Sequence, residues 1–287
     1  MWSIPLNVVV QGVLTGLVYG LMAVGLSVIF GVVRVVNFAH GELTLVAMYA
    51  AFLVFQTLGL DPLLVLIPIA AVFFCLGCLL QSFLINPFVG RPEHEQFILL
   101  VGLAIIVNGL LMIFGPAARP ANVSYGFGSY LVGSLILDKV RVFAALAALA
   151  FACGLFAFFR YTRTGTAIRA CADNLLGAAV VGLHVKRLYA LTFGIGLACV
   201  GAAGALMVTI ADAAPGLAPA YTLLAFTIVI IGGLGSMAGA LLGGVLIGVS
   251  EALAEFFAAP SMKSMFWFGL LIAVLVLRPQ GLLGRRA

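Results

Sequence analysis

Apolar runs close to membrane length alternate with short polar breaks along most of the chain. Residues 6 to about 32, 43–60, 63–85, 97–115 and 140–159 each read as one helical span. About 20 apolar residues carry a helix across a hydrocarbon core of about 30 Å, whereas a barrel strand needs only about 10. A sixth run begins after Leu188, residues 222–255 are apolar but interrupted at 231–236, and 266–277 form a last, short run. The pattern predicts an all-α fold, a polytopic membrane helix bundle of about eight segments with broken or re-entrant helices, forming a single domain over residues 1–287. Gly12, Gly16 and Gly20 recur at four-residue spacing, Gly194, Gly196, Gly201 and Gly204 crowd the sixth run, and Gly239, Gly243, Gly244 and Gly248 follow the interruption. Small residues on a helix face admit a close neighbour, and in lipid such packing holds helices together.

Three polar breaks stand out. Residues 160–187 carry five cations against one acid. Within this stretch Ile168, Ala172, Leu175, Ala179 and Leu183 fall on a helical stripe, and Arg169 and Asp173 fall off it. Two short amphipathic helices hinged near Gly177 fit the pattern. The stretch reads as a docking element gripped from the cytoplasm, or as an ordinary loop that is cationic because positive charge fixes orientation. The second break, 34–42, gathers Asn37, His40 and Glu42 between two apolar runs. Ionisable groups near a membrane interior cost a few kcal/mol unless paired or facing a cavity. A broken helix with a functional role suits them, and so does a short interfacial turn. The third break, 116–139, is rich in Gly, Pro, Ser and Tyr and reads as an extramembrane loop or lid able to touch a soluble partner.

Composition narrows the class further. The chain is 64% hydrophobic and 8% charged, with a mean hydropathy of +1.28. Soluble domains average about 25% charged residues. The net charge of +5 comes from cations near span ends, which points to topology and to no nucleic-acid partner. The N-terminal stretch has no cationic region before its apolar run, so the first span is expected to stay in the protein. Cys75, Cys78, Cys153, Cys171 and Cys199 suggest no disulfide framework, and the C-x-x-C at 75–78 reads as small side chains buried in a span.

Catalytic signatures are missing. Lys263 precedes a Ser, but Phe257 and Met262 stand where a phosphate-binding loop needs glycine. His40 and Glu42 lack the second histidine of a zinc protease. No enzyme, cofactor or metal is expected, with an intramembrane enzyme built on Asn37, His40 and Glu42 as a distant rival. Orientation adds a constraint. For the 160–187 loop and the Arg278, Arg285 and Arg286 tail to share the cytoplasmic face, residues 222–255 must form a hairpin turning at 232–236.

Four segments resemble one family. YGLMAVGLSVIFGVVRVVNFAHGEL (19–43), RACADNLLGAAVVGLHVKRLYALTF (169–193), IGGLGSMAGALLGGVLIG (231–248) and the RPQGLLG tail are similar, in this order, to H-type inner-membrane permease subunits of ABC importers for branched-chain amino acids. The resemblance implies an inner-membrane subunit of a bacterial cell that lines a translocation path. It further implies a paralogous permease subunit, two cytoplasmic ATPase subunits and a periplasmic solute-binding protein as partners. Arg169, Ala170, Asp173, Ala178 and Gly182 match the family's ATPase-coupling segment, giving coupling helices at about 161–187. Asn37, His40, Glu42, Gly232, Gly233 and Gly235 match signatures with a pathway or structural role. Leu224 stands where the family often has lysine, and Lys186 where an acidic or neutral residue is common. The rival reading is a stand-alone secondary transporter or channel for a small solute, with the broken segments binding it.

Overall fold

The computed structural model describes residues 3–113, 121, 123, 126, 128–133, 135–258 and 262–284. Among them run α1 (Ser3–Val33), α2 (His40–Leu58), α3 (Pro62–Leu79), α4 (Glu93–Ile113), α5 (Lys139–Tyr161), α6 (Arg163–Asp173), α7 (Leu175–Val180), α8 (Val185–Met207), α9 (Ala218–Gly232), α10 (Met237–Phe257) and α11 (Lys263–Leu277). Eight helical stretches are long and apolar enough to cross a membrane, with α11 shorter. The chain is a multi-pass membrane protein.

Polar side chains start many of these helices where the backbone leaves four amides unpaired. Asp61 accepts from the Leu63 amide at 2.8 Å, Asp138 from Val140 at 3.0 Å, Thr162 from Gly165 at 3.0 Å, Asn174 from Gly177 at 2.8 Å and Ser236 from Gly239 at 3.0 Å. Asn174 corrects the expected hinge. The chain breaks there, in extended backbone, and Gly177 sits inside α7. A short polar side chain that caps the next helix ends α6 without need of glycine.

Glycine contacts set the order of packing. α1 and α10 run antiparallel with their backbones touching: a Cβ on Gly12 would lie 2.7 Å from the Gly248 carbonyl oxygen, and one on Gly16 would lie 2.6 Å from that of Gly244. Gly25 of α1 meets Gly196 of α8, and Gly77 of α3 meets Gly194 of α8. α1 and α8 thus form the buried centre. α9 and α10 form a hairpin, Gly243 lying on Ile228 and Gly239 on Gly232.

The two ends of the bundle differ. At one end the close of α1, the close of α5, α6, the 233–236 turn and Leu283 of the tail surround one cavity. At the other end the first half of α1, the start of α5, the start of α9, the close of α10 and the start of α11 surround another. The expected hairpin is present and its turn lies on the α6 face. Each arm is long enough to cross, and both reach the far end, so α9 and α10 are two spans and the 278–284 tail returns to the α6 face. The tail is fastened there: the Leu282 and Leu283 amides donate to the Ile231 and Gly232 carbonyls at 2.8 and 3.0 Å. These are last-turn carbonyls of α9 that the helix itself leaves open.

Residues 116–128 of the 116–139 loop fall largely outside the described residues. Its end forms a hairpin of β1 (Ser129–Val132) and β2 (Leu135–Asp138), in which Ser129 pairs with Asp138. This hairpin sits against the start of α1, where the Ile136 amide donates to Asn7 Oδ1 at 2.7 Å and Gln11 donates to the Ile136 carbonyl at 2.9 Å. The cysteines are free. Cys75 is exposed on α3 instead of buried, on a face that it shares with the exposed Val72 and Leu79.

Candidate functional site

The first candidate lies where α1 breaks. α1 ends at Val33, and Arg34 follows at φ +57°, the one non-glycine residue in the left-handed region among the described residues. A side chain held there costs on the order of 1 kcal/mol or more, a strain that surrounding structure must hold in place. Residues 34–37 then run without helical structure, back alongside α1, so that His40 opens α2 level with Met22, whose carbonyl lies 3.1 Å from His40 Nε2. The break expected at 34–42 is therefore a helix restarted inside the bundle.

Each member of the Asn37–Glu42 signature has a definite post. Asn37 is fully buried, and its Oδ1 accepts the Ala39 amide at 3.1 Å. His40 is fully buried and ties α2 to α1. Gly41 lies so close to α9 that a Cβ would fall on the Ala218 carbonyl and 2.5 Å from the Thr222 amide nitrogen. Thr222 completes the set: its Oγ1 accepts the Gly41 amide at 2.9 Å, and its hydroxyl donates to Glu42 Oε2 at 3.2 Å. A residue of α9 thus caps α2. Sequence reading missed Thr222, since one threonine in an apolar run carries no signal. Asn37 Nδ2 and His40 Nδ1 are buried and lack a partner among the described residues. Phe38 stacks edge-on against Phe97 of α4 at 4.7 Å and lies 5.2 Å from Phe226 of α9, so the restart is wedged among three elements.

Gly232, Gly233 and Gly235 are not part of that cluster. They form the α9–α10 turn on the α6 face, where Gly233 and Gly235 take φ of +103° and +79°. A Cβ on Gly281 would lie 2.6 Å from Gly233 Cα, which brings the tail motif against the turn.

The second candidate is α6 with α7. α6 is seated by Gly165, Ile168 and Cys171, all buried, with Gly165 on the Phe158 and Phe159 backbone. Burial pushes the Cys171 thiol above its ordinary pKa. Arg169, Ala170, Asp173 and Gly182 are exposed, whereas Ala178 is buried. Ala178 therefore helps to seat α7 and does not form its outer surface.

The expected apolar stripe is only half right. On the stripe, Ile168 is buried and Ala172 and Leu183 pack half-buried against the core, whereas Leu175 and Ala179 are exposed; off it, Leu176, Val180 and Val181 are 79, 87 and 75% exposed. The break at Asn174 turns α7 away from the continuation of the α6 stripe, so the larger apolar side chains of α7 point outward.

The chain matches the model of the family described as "Branched-chain amino acid transport system / permease component" over residues 8–275. It is similar to the high-affinity branched-chain amino acid transport system permease protein BraD of Pseudomonas aeruginosa, at 32% identity over 98% of this chain and 96% of that protein. Similarity to LivH of Salmonella typhimurium is 31%, over 96% of this chain and 94% of the relative. The probable branched-chain amino acid transport permease LivH of Methanocaldococcus jannaschii is 24% identical over 92% of this chain and 88% of that protein. No solved structure matches.

Proposed function

The chain belongs to the family of branched-chain amino acid transport system permease components, and we propose that it is one membrane subunit of an ABC importer in a bacterial inner membrane. It forms part of the translocation path for branched-chain or related amino acids beside a paralogous permease subunit. Two cytoplasmic ATPase subunits supply the energy, and a periplasmic binding protein delivers the solute. The chain itself is no enzyme.

One observation carries this reading. α7 lies beyond the span of α5 on the cationic end of the bundle, and it holds Leu175, Leu176, Val180 and Val181 outward beside Arg169 and Asp173. Apolar side chains grouped on an outward helix are costly in water and match a groove on a partner. The mechanical route from there is short. α6 shares a cavity wall with the end of α1, the α9–α10 turn and Leu283 of the tail, so a push on α6 reaches α1 and the hairpin directly. ATP binding would close the ATPase pair, move α6 and α7, and switch the side on which the spans open.

The test is to purify the chain from its host with its companions. Leu176→Asp with Val180→Asp is expected to leave insertion and melting unchanged, to release the ATPase subunits and to lower uptake about tenfold or more. Retained ATPase in that variant, or ATP-independent uptake by the lone chain in liposomes on an ion gradient, overturns the importer reading and favours the secondary transporter.

A further inference from the structure

The cavity at the end opposite α6 encloses about 380 Å³, within the range of small-molecule sites. Its charges are mixed. Lys263 Nζ donates to Glu251 Oε1 at 3.0 Å and to Glu255 Oε2 at 3.4 Å. The Tyr19 hydroxyl, in the same cavity, lies beside the Glu251 carboxylate, yet Glu251 Oε2 itself is buried with no partner in hydrogen-bonding geometry among the described residues, and so is the indole N–H of Trp267. Arg141 lines the same cavity, held to Asp138 at only 3.7 Å. Leu224, on α9, supplies an apolar wall.

Buried polar groups in native proteins are paired, so each orphan marks a missing partner. Here the two orphans have opposite sense. Glu251 Oε2 asks for a donor and carries negative charge, while Trp267 Nε1 asks for an acceptor and has a guanidinium in the same cavity. A lone cation entering meets Lys263 and Arg141, and a lone anion meets Glu251 and Glu255. A small molecule carrying both an ammonium and a carboxylate answers both orphans without leaving a charge unpaired. We propose that this cavity is a binding site, within this one subunit and on its outer side, for a zwitterionic amino acid whose ammonium meets Glu251 and whose carboxylate meets Trp267 and Arg141.

The choice of probe rests on the amino-acid permease reading; the site itself rests on the cavity. The full chain, with the subunits that copurify, is placed in nanodiscs without binding protein or nucleotide and titrated calorimetrically. The titrants are L-leucine, 4-methylpentanoate, which lacks the ammonium, and 3-methylbutylamine, which lacks the carboxylate. Leucine is expected to give saturable heat, and each half-analogue to bind about tenfold more weakly or worse. Glu251→Gln is expected to weaken leucine by about tenfold, and Trp267→Phe gives a second reading should the first variant fail to fold. No saturable heat from leucine, equal binding of a half-analogue, or unchanged affinity in the folded variants overturns the site, and water alone then fills the cavity. A preparation that hydrolyses ATP and, in sealed liposomes with its binding protein, accumulates leucine, yet shows no such heat in nanodiscs, sinks this inference only. One from which the ATPase subunits are absent, but whose leucine heat depends on Glu251, sinks the importer reading instead.

Discussion

Thr222 shows how one side chain decides whether a helix can restart inside a membrane. The first amides of α2 lie away from water, where an unpaired donor costs on the order of 1–3 kcal/mol. Asn37 answers for the Ala39 amide, and the Thr222 hydroxyl both accepts from Gly41 and donates to Glu42. Thr222→Val keeps the volume and removes the hydroxyl. It is expected to destabilise the detergent-solubilised protein by about 1–3 kcal/mol, read as a lower midpoint in thermal melting, with Thr222→Ser restoring most of it. A valine variant that melts with the wild type would show that water, not Thr222, serves these groups. Asn37, His40 and Glu42 were visible in the sequence because polar residues between apolar runs demand an account. Their partners were not: Met22 contributes only its carbonyl, and Thr222 lies some 180 positions away.

At the scale of elements, the α1–α10 contact is the one the glycine spacing announced. Gly12, Gly16 and Gly20 predicted a close neighbour without saying which helix supplies it, since Gly194–Gly204 offered as good a face as Gly239–Gly248. The structure uses both, α10 against the first half of α1 and α8 against Gly25. A Cβ at Gly16 would stand 2.6 Å from the Gly244 carbonyl oxygen and 2.7 Å from Val245 Cα, both backbone atoms that cannot swing aside. Gly16→Ala is therefore expected to cost about 1–3 kcal/mol as overpacking. Gly102→Ala on α4, where a Cβ meets nothing within 4 Å, is expected to be neutral or to stabilise by up to about 1 kcal/mol through helix propensity. Melting curves for the pair separate packing from propensity, and equal midpoints would refute the close α1–α10 contact. The failed half of the α6–α7 stripe has an equally local cause: a helical period was carried through Asn174, which ends one helix by capping the next.

For the whole molecule the deciding quantity is which end faces the cytoplasm. Counting spans in the sequence left the parity wrong unless 222–255 folded back, and the hairpin supplies the repair with two full-length arms instead of a partial one. Charge then sets the direction. Arg34, Arg91, Arg160, Arg163, Arg169, Lys186, Arg187 and Arg278 gather at the α6 end, whereas Lys139, Arg141 and Lys263 occupy the other. Cations in short loops stay on the cytoplasmic side during insertion, so α6, the 233–236 turn and the tail are expected to face inward, with the β1–β2 hairpin and the Glu251 cavity outward. In a cysteine-free background, Ser236→Cys is expected to react with a membrane-impermeant maleimide only in inside-out vesicles, and Gly133→Cys, at the tip of the β-hairpin, only in intact spheroplasts. The reverse pattern would turn α7 toward the periplasm, beyond the reach of any ATPase. Labelling of both from one side would break the bundle's polarity and leave the tail no route to the end of α9.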